Sequence, residues 1–596
     1  MTYQNSWGRV LLSSVLAATL CACSEDNKTQ TANLSTPVET AINQKALKNA
    51  SDLPHYLNRS IQDEVFYFVL PDRFYNGNTD NDNGSKTIKL SQGGFDPSNK
   101  AMYHGGDIPG LKAKLPYLKD MGISAIWLTP IMRNQALQGD SSGYHGYWIL
   151  DFTEIDPHLG SNDDLKAFID AAHQENIKVF FDIITNHTAD VIKYKECHLE
   201  DGTPLNACEY KSLAEVEKSG TYTPYLPKGA ENVKVPAWLN DPKYYHNQGE
   251  TTYEGENSIY GDFASLDDIN TDDPEVVAGM TEIFKNVISE FKPDGFRIDT
   301  VKHVNIEFWS QFAPALVEHA KAQGIPQFFM FGEVYAPEPD ILSRFTTVGK
   351  MQSVLDFGFQ DAVTKTLVEN QGTDVFATLF AQDNKYNDED SHADQLLNFV
   401  SNHDMGRLAF MLNANKANYS EAEKIQRTLL GHALMYFNRG IPVVYYGDEQ
   451  GFVGDGNDQD ARQDMMPSKV ASFNDDDLLA TDKTTADDNF DQNHLFYQTL
   501  AKYGDIYHSY PALRYGQQQV IYSQATPGLF AFTRTTEQQS LLIVANTSTT
   551  LINTALPTSA QATLIYTFND KKGQLKLTDN SLQLAPLSLA IYQLNK

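Results

Sequence analysis

The sequence is short of several things. It holds four cysteines in 596 residues, and two of them, Cys21 and Cys23, lie in the leader. That is too few for a disulfide framework. Positive charge is scarce: 46 Lys+Arg stand against 77 Asp+Glu, a net charge of -31. Such a surface repels nucleic acid and anionic lipid headgroups, so neither is expected as a partner, while neutral partners are unaffected. Long apolar runs are missing too. The run Val10–Leu20, after Arg9, is about as long as a signal h-region and too short to span a bilayer. No internal repeat or low-complexity array is visible.

Leu20-Cys21-Ala22-Cys23 resembles a bacterial lipobox with Cys23 as the lipidated residue, and Ser24 resembles the signal for outer-membrane sorting. Residues 1–23 are therefore expected to be a lipoprotein-type signal, with the membrane touched only through the lipid; plain secretion is the alternative. Residues 24–60, polar and without a period, read as a tether. Cys197 and Cys208 flank a polar turn. An oxidising compartment would join them in a disulfide, and two free thiols are the alternative.

What is present is a strand–helix alternation. Eight short apolar runs recur: Val65–Leu70, Ala125–Leu128, Val179–Phe181, Gly295–Ile298, Phe328–Phe331, Ser353–Leu355, Leu397–Val400 and Pro442–Tyr446. Amphipathic stretches such as Asn162–Gln174 and Pro274–Ser289 lie between them. Buried parallel strands alternating with helices predict a (β/α)8 barrel, with its site at the C-terminal strand ends. Barrel residues 61–186 and 263–516 flank an inserted domain after strand 3, residues 187–262. From residue 517 the pattern alternates with period two, predicting a C-terminal antiparallel β-sandwich over 517–596.

The strand ends carry the chemistry. The third ends Asp182…Asn186-His187, the fourth Arg297-Ile298-Asp299…Lys302-His303, the fifth Gly332-Glu333, the seventh Asn402-His403-Asp404. Acids at four mouths of one barrel converge on one pocket. A paired carboxylate and carboxylic acid are what cleavage of a glycosidic bond needs. Arg297, two residues before Asp299, faces the same way and is expected to keep Asp299 ionised; burial and neighbouring acids such as Asp404 are expected to keep a proton on Glu333.

These four segments resemble the signature regions of the α-amylase superfamily, glycoside hydrolase family 13, in the same order. The resemblance implies Asp299 as nucleophile, Glu333 as acid/base and Asp404 as a third acid bonding sugar hydroxyls, with Asp182 bracing Arg297. It implies His187, Arg297 and His403 lining the same subsite. Gly143-Tyr144-His145-Gly146-Tyr147-Trp148 resembles the family's stacking segment, with Tyr147 on the sugar and His145 beside it. Lys302 and His303 resemble the leaving-group side of α-amylases. The substrate implied is an α-1,4-glucan or its oligosaccharides, cut internally with retention.

Calcium is the cofactor the resemblance implies. One structural site would take Asn186, Asp268 and the carbonyl of His303. A second, resembling the N-terminal loop of cyclodextrin glucanotransferases, would take Asn76, Asn78, Asn81, Asp82, Asp107 and the carbonyl of Gly105; oxygen ligands suit a hard cation. Rival readings are an exo-acting or maltogenic enzyme, a cyclomaltodextrinase or a glucanotransferase of the same family, and a noncatalytic glycan-binding lipoprotein. The 80 residues after the barrel leave room for one small domain, which weighs against a glucanotransferase with two more C-terminal domains.

Overall fold

The structure, a computed structural model, describes residues 53–555, 562–569, 576–578 and 581–594. The leader with Cys23 and most of the expected tether lie outside the described residues. The last tether residues are folded. Arg59 is fully buried, pairs with Glu64 at 2.8 Å and donates to the Ser124 and Asn176 carbonyls. Five donors in a dry interior need acceptors, and these anchor the chain beneath the barrel before residue 61.

All eight apolar runs are strands: β1 (Phe66–Val69), β2 (Ala125–Leu128), β3 (Lys178–Ile183), β4 (Gly295–Ile298), β5 (Phe329–Gly332), β6 (Ser353–Val354), β7 (Leu397–Asn398) and β8 (Ile441–Tyr445). They pair in the order β6-β5-β4-β3-β2-β1-β8-β7. A parallel bridge between Leu355 and Leu397 joins the two edges and closes the ring. Every residue of β3 is buried, as expected for a strand covered by helices outside and side chains inside. Phe66 meets Phe180 and Phe331 edge-on at 4.8 and 5.7 Å, a layer drawn from alternate strands β1, β3 and β5.

The covering helices start where the sequence caps them. In α1 (Asn162–Gln174) Ser161 and Asp164 form a capping box. In α2 (Pro274–Phe291) Asp273 caps, and Val276, Met280, Ile283, Phe284, Val287 and Phe291 make the buried stripe.

The insert between β3 and α2 is built of short pairs and turns. At its base His187–Thr188 runs antiparallel to Asp267–Asp268. Cys197 and Cys208 are disulfide-bonded with Cα atoms 5.6 Å apart, which decides between the two thiol readings. After the barrel, five antiparallel strands from Gln517 onward face a smaller three-stranded sheet. Leu529, Leu542 and Val544 of the first pack on Leu582 and Leu584 of the second, forming the expected sandwich.

Candidate active site

The C-terminal mouths of β3, β4, β5 and β7 meet, as parallel strands of one barrel must. Asp299 leaves β4 just past Ile298, its amide donating to the Ile183 carbonyl at 2.9 Å. Arg297 stands beside it. One guanidinium nitrogen, Nη1, donates to both Asp182 oxygens (2.7 and 2.9 Å) and to Asp299 Oδ1 (2.9 Å). The other, Nη2, lies 2.9 Å from Glu333 Oε2. A planar cation thus spaces the two reactive acids. Thr300 follows in the left-handed region (φ 47°), rare for a β-branched residue, and its amide donates to Glu333 Oε2 at 3.1 Å.

This geometry corrects one expectation. Arg297 does not hold Asp299 alone: three buried carboxylates share one positive charge. Burial pushes the Asp299 carboxyl well up; Arg297 opposes, while Glu333, Asp182 and Asp404 add to the rise. Burial also pushes Asp182 up, to about 7, against Arg297. At least one proton therefore resides in the group near neutral pH, and its titration belongs to the cluster rather than to one residue.

Tyr147 ties the remaining walls together. Its hydroxyl sits 2.6 Å from His403 Nε2 and donates to Asp182 at 3.2 Å, its ring stacks on His403, and His187 Nε2 lies 3.3 Å from its carbonyl. His145 Nδ1 accepts from the Tyr147 amide at 3.0 Å. Gly146 between them has φ 91°, and a Cβ there would fall 1.9 Å from the Pro130 carbonyl, so only glycine lets this segment turn into the pocket. Burial keeps the histidines neutral: His187 is pushed down to about 3, His303 to about 4, and His145 and His403 well below their usual range. At the rim, Phe263 stacks on His187 and meets His303 edge-on. Lys302 donates to the Tyr335 carbonyl at 3.1 Å and feels the Glu333 charge. Every residue expected in this pocket is in it.

Several members were not legible. Arg462 donates to the His403 carbonyl at 3.1 Å and to Asp404 at 3.2 Å. It lies seventeen positions past β8 in an irregular loop, where no periodicity marks it. Trp127, donating to Asp182 at 3.1 Å, and Phe263 were missed as well. Asp404 is half-open, unlike the buried Asp299 and Glu333.

The calcium expectations meet mixed surroundings. In the N-terminal loop Asn76 donates to Asp82 at 2.8 Å, and the buried Oδ1 atoms of Asn76 and Asn81 have no partner. A Cβ on Gly105 would meet both Asn76 and Asp82 within 2.9 Å, so this backbone closes a cradle of oxygens. That set fits a hard cation. Two members are otherwise engaged: Asn78 Oδ1 accepts from its own turn, and Asp107 accepts from the Gly77, Asn78 and Gly110 amides. At the insert's base Ile269 donates its amide to the Asn186 carbonyl, bringing Asn186 beside Asp268. Asp268 is buried without Lys or Arg among the described residues, and burial alone drives its carboxyl well up; it too fits a missing cation. An acid group the sequence did not single out, Asp455, Asp475 and Asp476, clusters in the loop after β8.

A closed barrel with a nucleophile-type acid, a partner acid and a half-open third acid over an aromatic floor is a glycosidase-type site. Comparison with known proteins narrows it: residues 68–492 match the model of the α-amylase catalytic domain, and the chain belongs to that family. Residues 529–589 match the C-terminal domain described for the α-amylase SusG. An α-amylase of Streptomyces lividans is 41% identical over 526 residues, 85% of this chain and 56% of that protein. The chain thus spans about half the length of that relative. A solved Anoxybacillus α-amylase superposes with a TM-score of 0.66 at 26% identity, covering 90% of this chain and 99% of the other. A solved cyclomaltodextrin glucanotransferase with a three-domain ABC distribution superposes at 0.68 with 25% identity, covering 89% and 99%. Domain count therefore does not separate this chain from glucanotransferases, contrary to the expectation drawn from its length.

Proposed function

We propose that this protein hydrolyses internal α-1,4-glucosidic bonds of starch, glycogen or maltooligosaccharides with retention of configuration. The observation that carries the reading is the shared Arg297, with Asp299 on one nitrogen and Glu333 on the other. Held this way, the carboxyl groups suit the separation of roughly 5–5.5 Å that retaining chemistry uses.

In the first step Glu333 gives its proton to the glycosidic oxygen as the C1–O bond breaks, and Asp299 forms a bond to C1. The chain beyond that oxygen departs as an alcohol. In the second step Glu333, now a carboxylate, takes a proton from water, the water oxygen bonds to C1 and Asp299 leaves. Tyr147 offers a stacking face, Asp404 and the neutral histidines bond hydroxyls, and Lys302 with His303 faces the departing chain. Calcium held by the Asn186/Asp268 and Asn76/Asp82 groups would brace the insert and the N-terminal loop. We further propose export, with Cys23 as lipid anchor, which mass spectrometry of membrane-fraction protein would test.

The test is NMR of freshly released sugar from maltopentaose, with chromatography of products from starch. An α-anomer at first and mixed oligosaccharides support the reading; a β-anomer would overturn retention. Glucanotransferase action is the second reading, favoured by the three-domain likeness. Cyclic products from starch would establish it.

A further inference from the structure

A second cavity, of about 490 Å3, opens on the insert, walled by His246, Asn247, Gln248, Asn270, Lys243 and Pro242 among others. No residue bonded to Asp299, Glu333 or Asp404 lines it. Its wall has an unusual imbalance. Asn247 Oδ1, Gln248 Oε1, Asn270 Oδ1 and His246 Nε2 are all buried and all lack a hydrogen-bond partner. His246, Asn247 and Gln248 are each more than nine-tenths buried. An unpaired buried polar atom costs about 1–3 kcal/mol, so four on one cavity mark a place completed by something else.

The orientation of these atoms is defined locally. Asn247 spends both amide hydrogens on the Pro242 and Tyr245 carbonyls, at 2.8 and 2.7 Å, leaving Oδ1 free. His246 Nδ1 lies 2.5 Å from Asp268 Oδ2, so Nδ1 carries the hydrogen and Nε2 offers a bare lone pair. The backbone beneath is pinned. The His246 amide donates to the Asp268 carbonyl, and the Asn247 and Gln248 carbonyls accept from Tyr222 and Lys211. All four free atoms are acceptors, so the missing partner is a donor.

A metal ion suits this poorly: no carboxylate lines the cavity, and its one ionised side chain is the Lys243 ammonium. Sugar hydroxyls suit it well, and the volume falls in the range of roughly 300–1,000 Å3 for small-ligand pockets, room for about two glucosyl units. We propose that this cavity is an accessory binding site for α-linked glucose oligomers, separate from the cleavage site. The proposal rests on the glucan reading given above.

Maltotriose binding to the full-length Asp299→Asn protein, followed by calorimetry, tests it. Two classes of site are expected, and in Asp299→Asn carrying Gln248→Ala and Asn270→Ala one class should weaken at least tenfold, with an unchanged melting temperature. On the active background, the same two substitutions should slow attack on starch granules several-fold and leave cleavage of a soluble 4-nitrophenyl maltotrioside unchanged. A single class of site, or two classes indifferent to these substitutions, would overturn the proposal. So would calcium displacing maltotriose from the weaker class. Wild type inactive on starch while both classes bind would retire the catalytic reading and keep this site.

Discussion

Arg297 Nη2 lies 2.9 Å from Glu333 Oε2. The arginine that faces Asp299 on its own strand therefore reaches the acid of the next strand as well, and couples the two. Replacing Arg297 with Lys leaves a single ammonium where three carboxylates converge and should lower kcat/KM about a thousandfold, roughly 4 kcal/mol. The carboxyl groups lose a shared positive charge, so their pKa values rise and the acid limb of the pH–rate profile should move to higher pH. A profile superposable on wild type would refute the sharing.

Asp299→Asn and Glu333→Gln should both abolish starch hydrolysis, falling by about 10^4 or more, and differ in what survives. A fluoride leaving group needs no protonation, so Glu333→Gln should still form its covalent intermediate from α-maltotriosyl fluoride, seen as an added mass on the intact protein. Asp299→Asn should show none. The opposite pattern would exchange the two roles.

Tyr147→Phe keeps the ring and removes a hydroxyl that contacts His403 and Asp182. Losing those bonds should cost about 1–1.5 kcal/mol, roughly tenfold in kcat with KM little changed. Tyr147→Ala, which removes the stacking face, should raise KM as well. Steady-state kinetics on maltoheptaose separates the two.

His508 is buried where Asp63 accepts from its Nε2, and burial pushes its pKa down to about 3. Its folded pKa is below the unfolded value, so it contributes stability above about pH 6.5 that is lost as pH falls toward 3. At pH 5 the loss should be about 2 kcal/mol. His508→Gln keeps a donor and cannot titrate; its denaturant midpoint should fall less than wild type between pH 7 and 5.

Chelation should lower the melting temperature. A cation at a hundred times its dissociation constant stabilises by about 2.7 kcal/mol, roughly 5–10 °C here. Asp268→Asn should abolish most of the calcium-dependent part of that shift, and Asp82→Asn a separate part. A melting curve indifferent to chelator would rule out both sites.

The strands, their order and the acids at their ends were legible in the sequence because each is a local pattern. A short β-rich run between turns and an acid at its end need only neighbours in the chain. Even Gly146 between His145 and Tyr147 is such a local mark. The sequence by itself thus determined the barrel, the sandwich after it, and Asp299, Glu333 and Asp404 as the reactive set. Tertiary structure decided what depends on distant chain segments meeting. It made Arg297 the common partner of three acids, brought Arg462 and Trp127 to Asp404 and Asp182, and joined Cys197 to Cys208. It also decided the charges. A carboxyl's pKa depends on how much water surrounds it and which charges lie within a few ångströms, and both are set only when the barrel closes.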